Sequence, residues 1–140
     1  MKVTDISNVL QELETRDLDP NVGIAIKPVE VGTDIGLYVA RIDPGKKVRP
    51  HYHPKVNEIY EIFRGEGVMH TASVVGEMDG KYYATWEGKE QVKEGKSFNI
   101  EEGVGHCLEN TGNKPLILKF ICPPSHLTDK NRYFIENMPE

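Results

Sequence analysis

Three histidines and a glutamate hold most of the chemistry this sequence could perform. His51 and His53 form an H-x-H pair bracketed by Pro50 and Pro54; Glu58 follows shortly, and His106 stands far along the chain. Side chains two apart on a strand leave the same face, so an extended His51-Tyr52-His53 presents both imidazoles together. The proline after His53 pushes that residue out of the helical region, which supports the extended form. Glu58 opens the run EIYEIF, rich in β-branched and aromatic residues, on which Glu58, Tyr60 and Ile62 share a face. If the loop over residues 54–57 folds this strand back beside the first, Glu58 meets both imidazoles around one ion, and His106 has to arrive from across the fold. Imidazole and carboxylate donors without a thiolate suit Fe, Mn, Ni, Cu or Zn. Four such donors leave two positions of an octahedral ion open to a substrate.

The elements that must place these groups read mostly as strands. The chain opens with a helix that Thr4 or Asp5 can cap, its Ile6, Val9, Leu10 and Leu13 falling on one face, with Asp19 and Pro20 ending the pattern. It suits an amphipathic lid on a β body. Two strands follow, GIAIKPVEV and IGLYVARI, and the turn DPG leads into the histidine pair. Leu37, Val39 and Arg41 alternate with Tyr38, Ala40 and Ile42, so one of Arg41 and Tyr38 faces the cavity; Arg41 is a candidate anion anchor. GVMHTASVV and KYYATW, joined at Asp79-Gly80, read as a hairpin. Trp86, Tyr82 and Tyr83 are expected to pack on it. The last strand, PLILKFIC, stops at Pro123-Pro124, and His126 just beyond is a further site candidate. Tyr133, Phe134 and Ile135 could pin the tail to the body or to a second subunit.

Two glycine-punctuated stretches tie this together: Gly45, His51, His53, Glu58 and Gly65, then Gly95, Gly103, His106 and Asn110. They resemble the paired signatures of the cupin superfamily, in its small single-domain form; the one departure is Glu101, where the family usually has proline. The resemblance spans roughly residues 35 to 125. It implies an all-β fold, a double-stranded β-helix or jelly-roll cupin barrel with a short N-terminal helix within residues 1–20, in one domain over residues 1–140. It further implies His51, His53, Glu58 and His106 as metal ligands, a divalent transition metal as cofactor, and a homodimer. The four glycines are expected at turns that need positive φ.

Length and charge agree with one domain. The chain has 140 residues and a net charge of −5, enough to bury a core without a structural metal. Basic residues are scattered among acids, which excludes a nucleic-acid surface or an acidic membrane as partner. Cys107 and Cys122 fit neither a disulfide scaffold nor a redox motif, and with no signal-peptide core at the N-terminus the expected setting is the cytoplasm. The partner is then a small-molecule substrate or ligand. Three functions fit: a dioxygenase-type oxidation of a chelating substrate, a redox-neutral isomerase, cyclase or lyase using the ion as Lewis acid, and a binding module without turnover. For either reaction Tyr60 and His70 are the expected catalytic residues, ahead of Glu61 on the opposite face. Arg41, Arg49 and Lys119 are the cations that an anionic substrate would call on.

Overall fold

The computed structural model describes residues 1–140. In chain order it contains a helix α1 (Ile6–Glu14) and ten strands: β1 (Ala25–Val31), β2 (Gly36–Ile42), β3 (His51–Tyr52), β4 (Glu58–Arg64), β5 (Glu66–Met78), β6 (Lys81–Lys93), β7 (Ser97–Ile100), β8 (Val104–Asn110), β9 (Leu116–Cys122) and β10 (Tyr133–Phe134). They form two five-stranded sheets, ordered β1-β2-β9-β4-β7 and β10-β3-β8-β5-β6. All named strand pairings are antiparallel. The inner faces enclose one apolar core that includes Tyr38, Ala40, Ile42, Tyr60, Ile62, Leu108, Leu118 and Phe120. This is the double-stranded β-helix expected from the paired stretches.

Alternation decides which residues reach that core. On β4, Glu58, Tyr60 and Ile62 are buried while Ile59 and Glu61 are exposed, the period-2 pattern of a strand with one wet face. On β2 the inward set is Tyr38, Ala40 and Ile42. Val39 points the other way, into a second cluster with Val9, Leu13, Ala25 and Ile117, where α1 covers the outer face of the first sheet. Asp5 caps that helix by accepting the Ser7 amide at 2.9 Å. The helix stops at Glu14, short of Asp19 and Pro20, because its apolar face is spent at Leu13 and Arg41 takes over its end: the guanidinium donates to the carbonyls of Leu13 and Glu14 and to Asp43. Arg41 is thus a helix clamp outside the barrel, and the expectation of an anion anchor there is wrong.

Turn chemistry sets the registers. Asp79 and Gly80 have φ of 54° and 77°, both left-handed, as a two-residue turn between twisted strands requires. The hairpin β5–β6 it closes is much longer than the apolar runs suggested. Gly65 has φ 88°, and a Cβ there would lie 2.9 Å from the Pro115 carbonyl oxygen, so this tight corner between β4 and β5 excludes a side chain. The loop before His106 forms without the usual proline, closed by the Val104 amide on the Glu101 carbonyl.

Candidate metal centre

The site lies between the sheets at the end of the barrel where β3, β4 and β8 meet. His51 on β3 is directly opposite His106 on β8, which brings their ring centroids to 4.3 Å. His53 leaves the same face as His51, 4.9 Å away between ring centroids. Glu58 arrives from the other sheet at the head of β4. The loop between is locked on both sides: the Gly103 amide donates to the His53 carbonyl, the Val56 amide to Glu102, and the Glu102 amide to the Asn57 side chain. Val56 holds φ 72° in this lock, a conformation that β-branched residues rarely adopt and that surrounding contacts must impose.

All four side chains are buried. Each of the three imidazoles has its Nδ1 on a backbone carbonyl: His51 on Arg49 at 2.7 Å, His53 on Asn131 at 2.7 Å and His106 on Val104 at 3.0 Å. A carbonyl only accepts, so Nδ1 carries the hydrogen and the neutral ring offers the Nε2 lone pair, the arrangement of metal-binding histidines. The Nε2 atoms of His53 and His106 are buried without a hydrogen-bond partner. His51, His53 and His106 place ligand atoms within 4.8 Å of one another, and so do His53, Glu58 and His126, with His53 in both groups. His53 Nε2 lies 2.8 Å from Glu58 Oε2, close enough to interact but off the line of a hydrogen bond. An imidazole lone pair facing a carboxylate oxygen across that gap is repulsive unless a cation lies against both. The donor set therefore fits a divalent transition ion.

His126 is part of this constellation. It is 1% exposed and stacks on His53 with ring centroids 3.9 Å apart. Its Nδ1 is 3.1 Å from Glu58 Oε2 and its Nε2 2.8 Å from the Lys55 carbonyl oxygen. A neutral ring has one N–H for these two acceptors; carried on Nδ1, it donates to Glu58 and orients the carboxylate. The short 3₁₀ turn Pro124–Leu127 places it, which is what Pro123-Pro124 ahead of a histidine hinted at in the sequence. Asn131 gave no such hint, since only the folded chain shows its carbonyl orienting His53 while its side chain bonds the backbone of Lys55 on both sides.

Burial lowers the pKa of His51 well below the ordinary histidine value, helped by charge on His106 and His53. Burial likewise lowers His106, to about 4. For Glu58 burial acts to raise the pKa, but hydrogen bonding, first of all by His126, outweighs it and holds the carboxyl well below the carboxylate range. Tyr60 is pushed well above its usual value by burial, then by the charge of Glu58, so it is a neutral phenol. It borders the small site cavity of about 30 Å³, together with His51, His53, Glu58 and His126. A wider depression of about 570 Å³ lies between β6 and β7; neither group of close-set ligand atoms touches it.

Other candidates lie elsewhere. Met69 belongs to the core, so its neighbour His70 on β5 faces out of the barrel. There its Nε2 is 3.0 Å from Glu109 Oε1, beside Trp86 and the chain end. The expected catalytic role of His70 is therefore not met: the β5 register sets it opposite Cys107 and turns it away from the ligands. Glu61 is exposed and pairs with Lys119 outside the barrel at 3.4 Å. The Arg49 guanidinium sits 3.8 Å from the Phe134 ring centroid. Cys107, beside His106, points away from the site and donates to the Val48 carbonyl; both cysteines are free and buried. No helix is long and apolar enough to cross a membrane.

Among curated proteins, germin-like protein 5-1 of Oryza sativa subsp. japonica is 29% identical over 86 residues, 60% of this chain and 34% of that protein. The chain thus spans about a third of the length of this curated relative. Among solved structures, an uncharacterised conserved protein with a double-stranded β-helix domain from Klebsiella pneumoniae aligns at a TM-score of 0.66 and 17% identity, over 98% of this chain and 99% of its own. A predicted oxalate decarboxylase from Thermotoga maritima aligns at a TM-score of 0.62 and 25% identity, covering 87% and 99%. The family model described as the cupin domain matches residues 38–122, and with the fold, the two stretches and this match in agreement, the chain belongs to the cupin family.

Proposed function

We propose that the chain is a metalloenzyme whose divalent transition ion is held by His51, His53, His106 and Glu58, and that it carries out a dioxygenase-type oxidation of a small chelating substrate. The observation that carries this is the set of Nδ1 hydrogen bonds to backbone carbonyls, which leaves the Nε2 lone pairs of His53 and His106 buried and without partners. Leaving such groups buried and unpaired costs about 1–3 kcal/mol each, a cost that a bound cation removes. A redox-active ion would supply electron transfer between substrate and oxygen. The chain's own residues would do the rest: the carbonyls of Arg49, Asn131 and Val104 fix the rings, His126 holds Glu58, and the apolar walls keep water out.

A redox-neutral reaction is the second reading, and Tyr60 favours it. A buried phenol kept neutral beside the site can deliver a proton to a substrate anion. The decarboxylation named for the Thermotoga relative belongs to that class, since it needs no net oxidant. Oxygen uptake by the iron-loaded and manganese-loaded protein, measured across a panel of small 2-oxo and 2-hydroxy compounds, tests the first reading. Substrate-dependent uptake supports oxidation, and product formation at full rate under strict anaerobiosis replaces it with the redox-neutral chemistry.

A further inference from the structure

The tail that supplies the Asn131 carbonyl also sends a cation into the site. Arg132 is 9% exposed and borders the same small cavity as His51, His53, Glu58, Tyr60 and His126. Its Nε is buried with no hydrogen-bond partner. Its one ion pair is a 3.8 Å contact from Nη2 to Asp129, whose side chain is almost wholly exposed, a weak compensation in water. The guanidinium lies 4.9 Å from the ring centroid of Phe134, a cation–π contact that gives its N–H donors no acceptor. A buried cation whose N–H finds no acceptor is costly by itself, so an acceptor belongs there when the site is in use.

We propose that Arg132 is the carboxylate-binding residue of the substrate site, and that the ligand is a small carboxylic acid presenting its anion to Arg132 and its chelating oxygen to the ion. This rests on the metal reading above for the second contact, and on Arg132 alone for the first. Charge argues the same way. Three neutral imidazoles and one carboxylate leave a divalent ion with one net positive charge, and Arg132 adds another in a nearly dry space. An anion between the two cations turns that repulsion into two attractions. A guanidinium matches a planar carboxylate through two parallel N–H donors.

The test is calorimetric titration of pyruvate, its neutral amide pyruvamide and inorganic phosphate into manganese-loaded and metal-free protein, repeated for Arg132→Gln and Arg132→Lys. In the unmutated chain pyruvate is expected to bind at least tenfold tighter than pyruvamide; Arg132→Gln abolishes that preference and Arg132→Lys restores part of it. A second readout needs no variant: the Arg132 Nε resonance shifts on adding pyruvate. An unchanged preference in Arg132→Gln, no resonance shift, or tighter binding of phosphate than of pyruvate would overturn the assignment. Carboxylate preference in a protein that takes up no metal would keep Arg132 and sink the metal centre; metal uptake without carboxylate preference would do the reverse.

Discussion

His126 shows how far a single residue can shape the site without itself being one of the four proposed ligands. By donating to Glu58 Oε2 it fixes which way the carboxylate points. Losing such an outer partner typically costs 10–100-fold in metal affinity. His126→Ala should therefore weaken manganese binding by about that factor while the far-UV circular dichroism stays that of the parent; an unchanged dissociation constant would remove His126 from the site. The depressed pKa of His106 has a consequence with a definite sign. The unfolded chain takes up a proton at this group below about 6.5 and the folded chain only near 4, so the unfolded state binds more protons in that window and stability falls on acidification. At about 1.4 kcal/mol per pKa unit, the metal-free protein should lose on the order of 2 kcal/mol between pH 7 and pH 5 from this group. Thermal melting across that range checks it: the midpoint falls, and His106→Asn flattens part of the slope. Glu58, held below its ordinary value, adds its own loss only at lower pH. At this scale His51 and His53 were legible as a pair because strand parity puts them on one face, and Glu58 and His106 through the resemblance of the two glycine-punctuated stretches to the cupin signatures, whereas His70 could not be placed because parity cannot be carried across a loop without knowing the register.

Among the elements, α1 was legible as an amphipathic lid on the β body and the tail as a segment pinned by Tyr133, Phe134 and Ile135, but not what holds either in place. The helix is held by Leu13, fully buried, and by the Arg41 clamp on its last carbonyls. Leu13→Ala should cost about 2–5 kcal/mol, and Arg41→Met about 1–3 kcal/mol through the unsatisfied carbonyls. In the second variant, hydrogen exchange should speed up over residues 6–14 before any strand opens; uniform acceleration would mean that the helix is not a separate unit. The tail runs beside β3 as β10, with the Ile135 amide on the Pro50 carbonyl and the Asn137 side chain bonded on both sides to the Ala84 backbone. It belongs to the body of its own chain. Ending the chain at Thr128 removes both the carbonyl that orients His53 and the guanidinium of Arg132. The barrel should still fold, since its core cluster lies almost wholly before that point, with metal affinity down at least tenfold. The sequence offered no signal for this, because main-chain carbonyls carry no residue signature.

For the whole molecule, the jelly-roll barrel was legible because glycine turns, alternating strands and the two stretches agree with one another, and agreement across levels is what specifies a fold. What stayed hidden was how the tail closes the site, with the Asn131 carbonyl on His53 and the strand Tyr133–Phe134 beside β3. The metal centre is the claim on which the proposed chemistry depends, and titration of manganese followed by calorimetry is its most direct test, run on the parent chain and on a double variant, His51→Ala with His106→Ala. The expected result is one ion per chain for the parent, none for a double variant that remains folded, and a rise in melting temperature on adding metal to the parent only. Equal uptake by both proteins, or none by the parent, would contradict a centre built from these side chains.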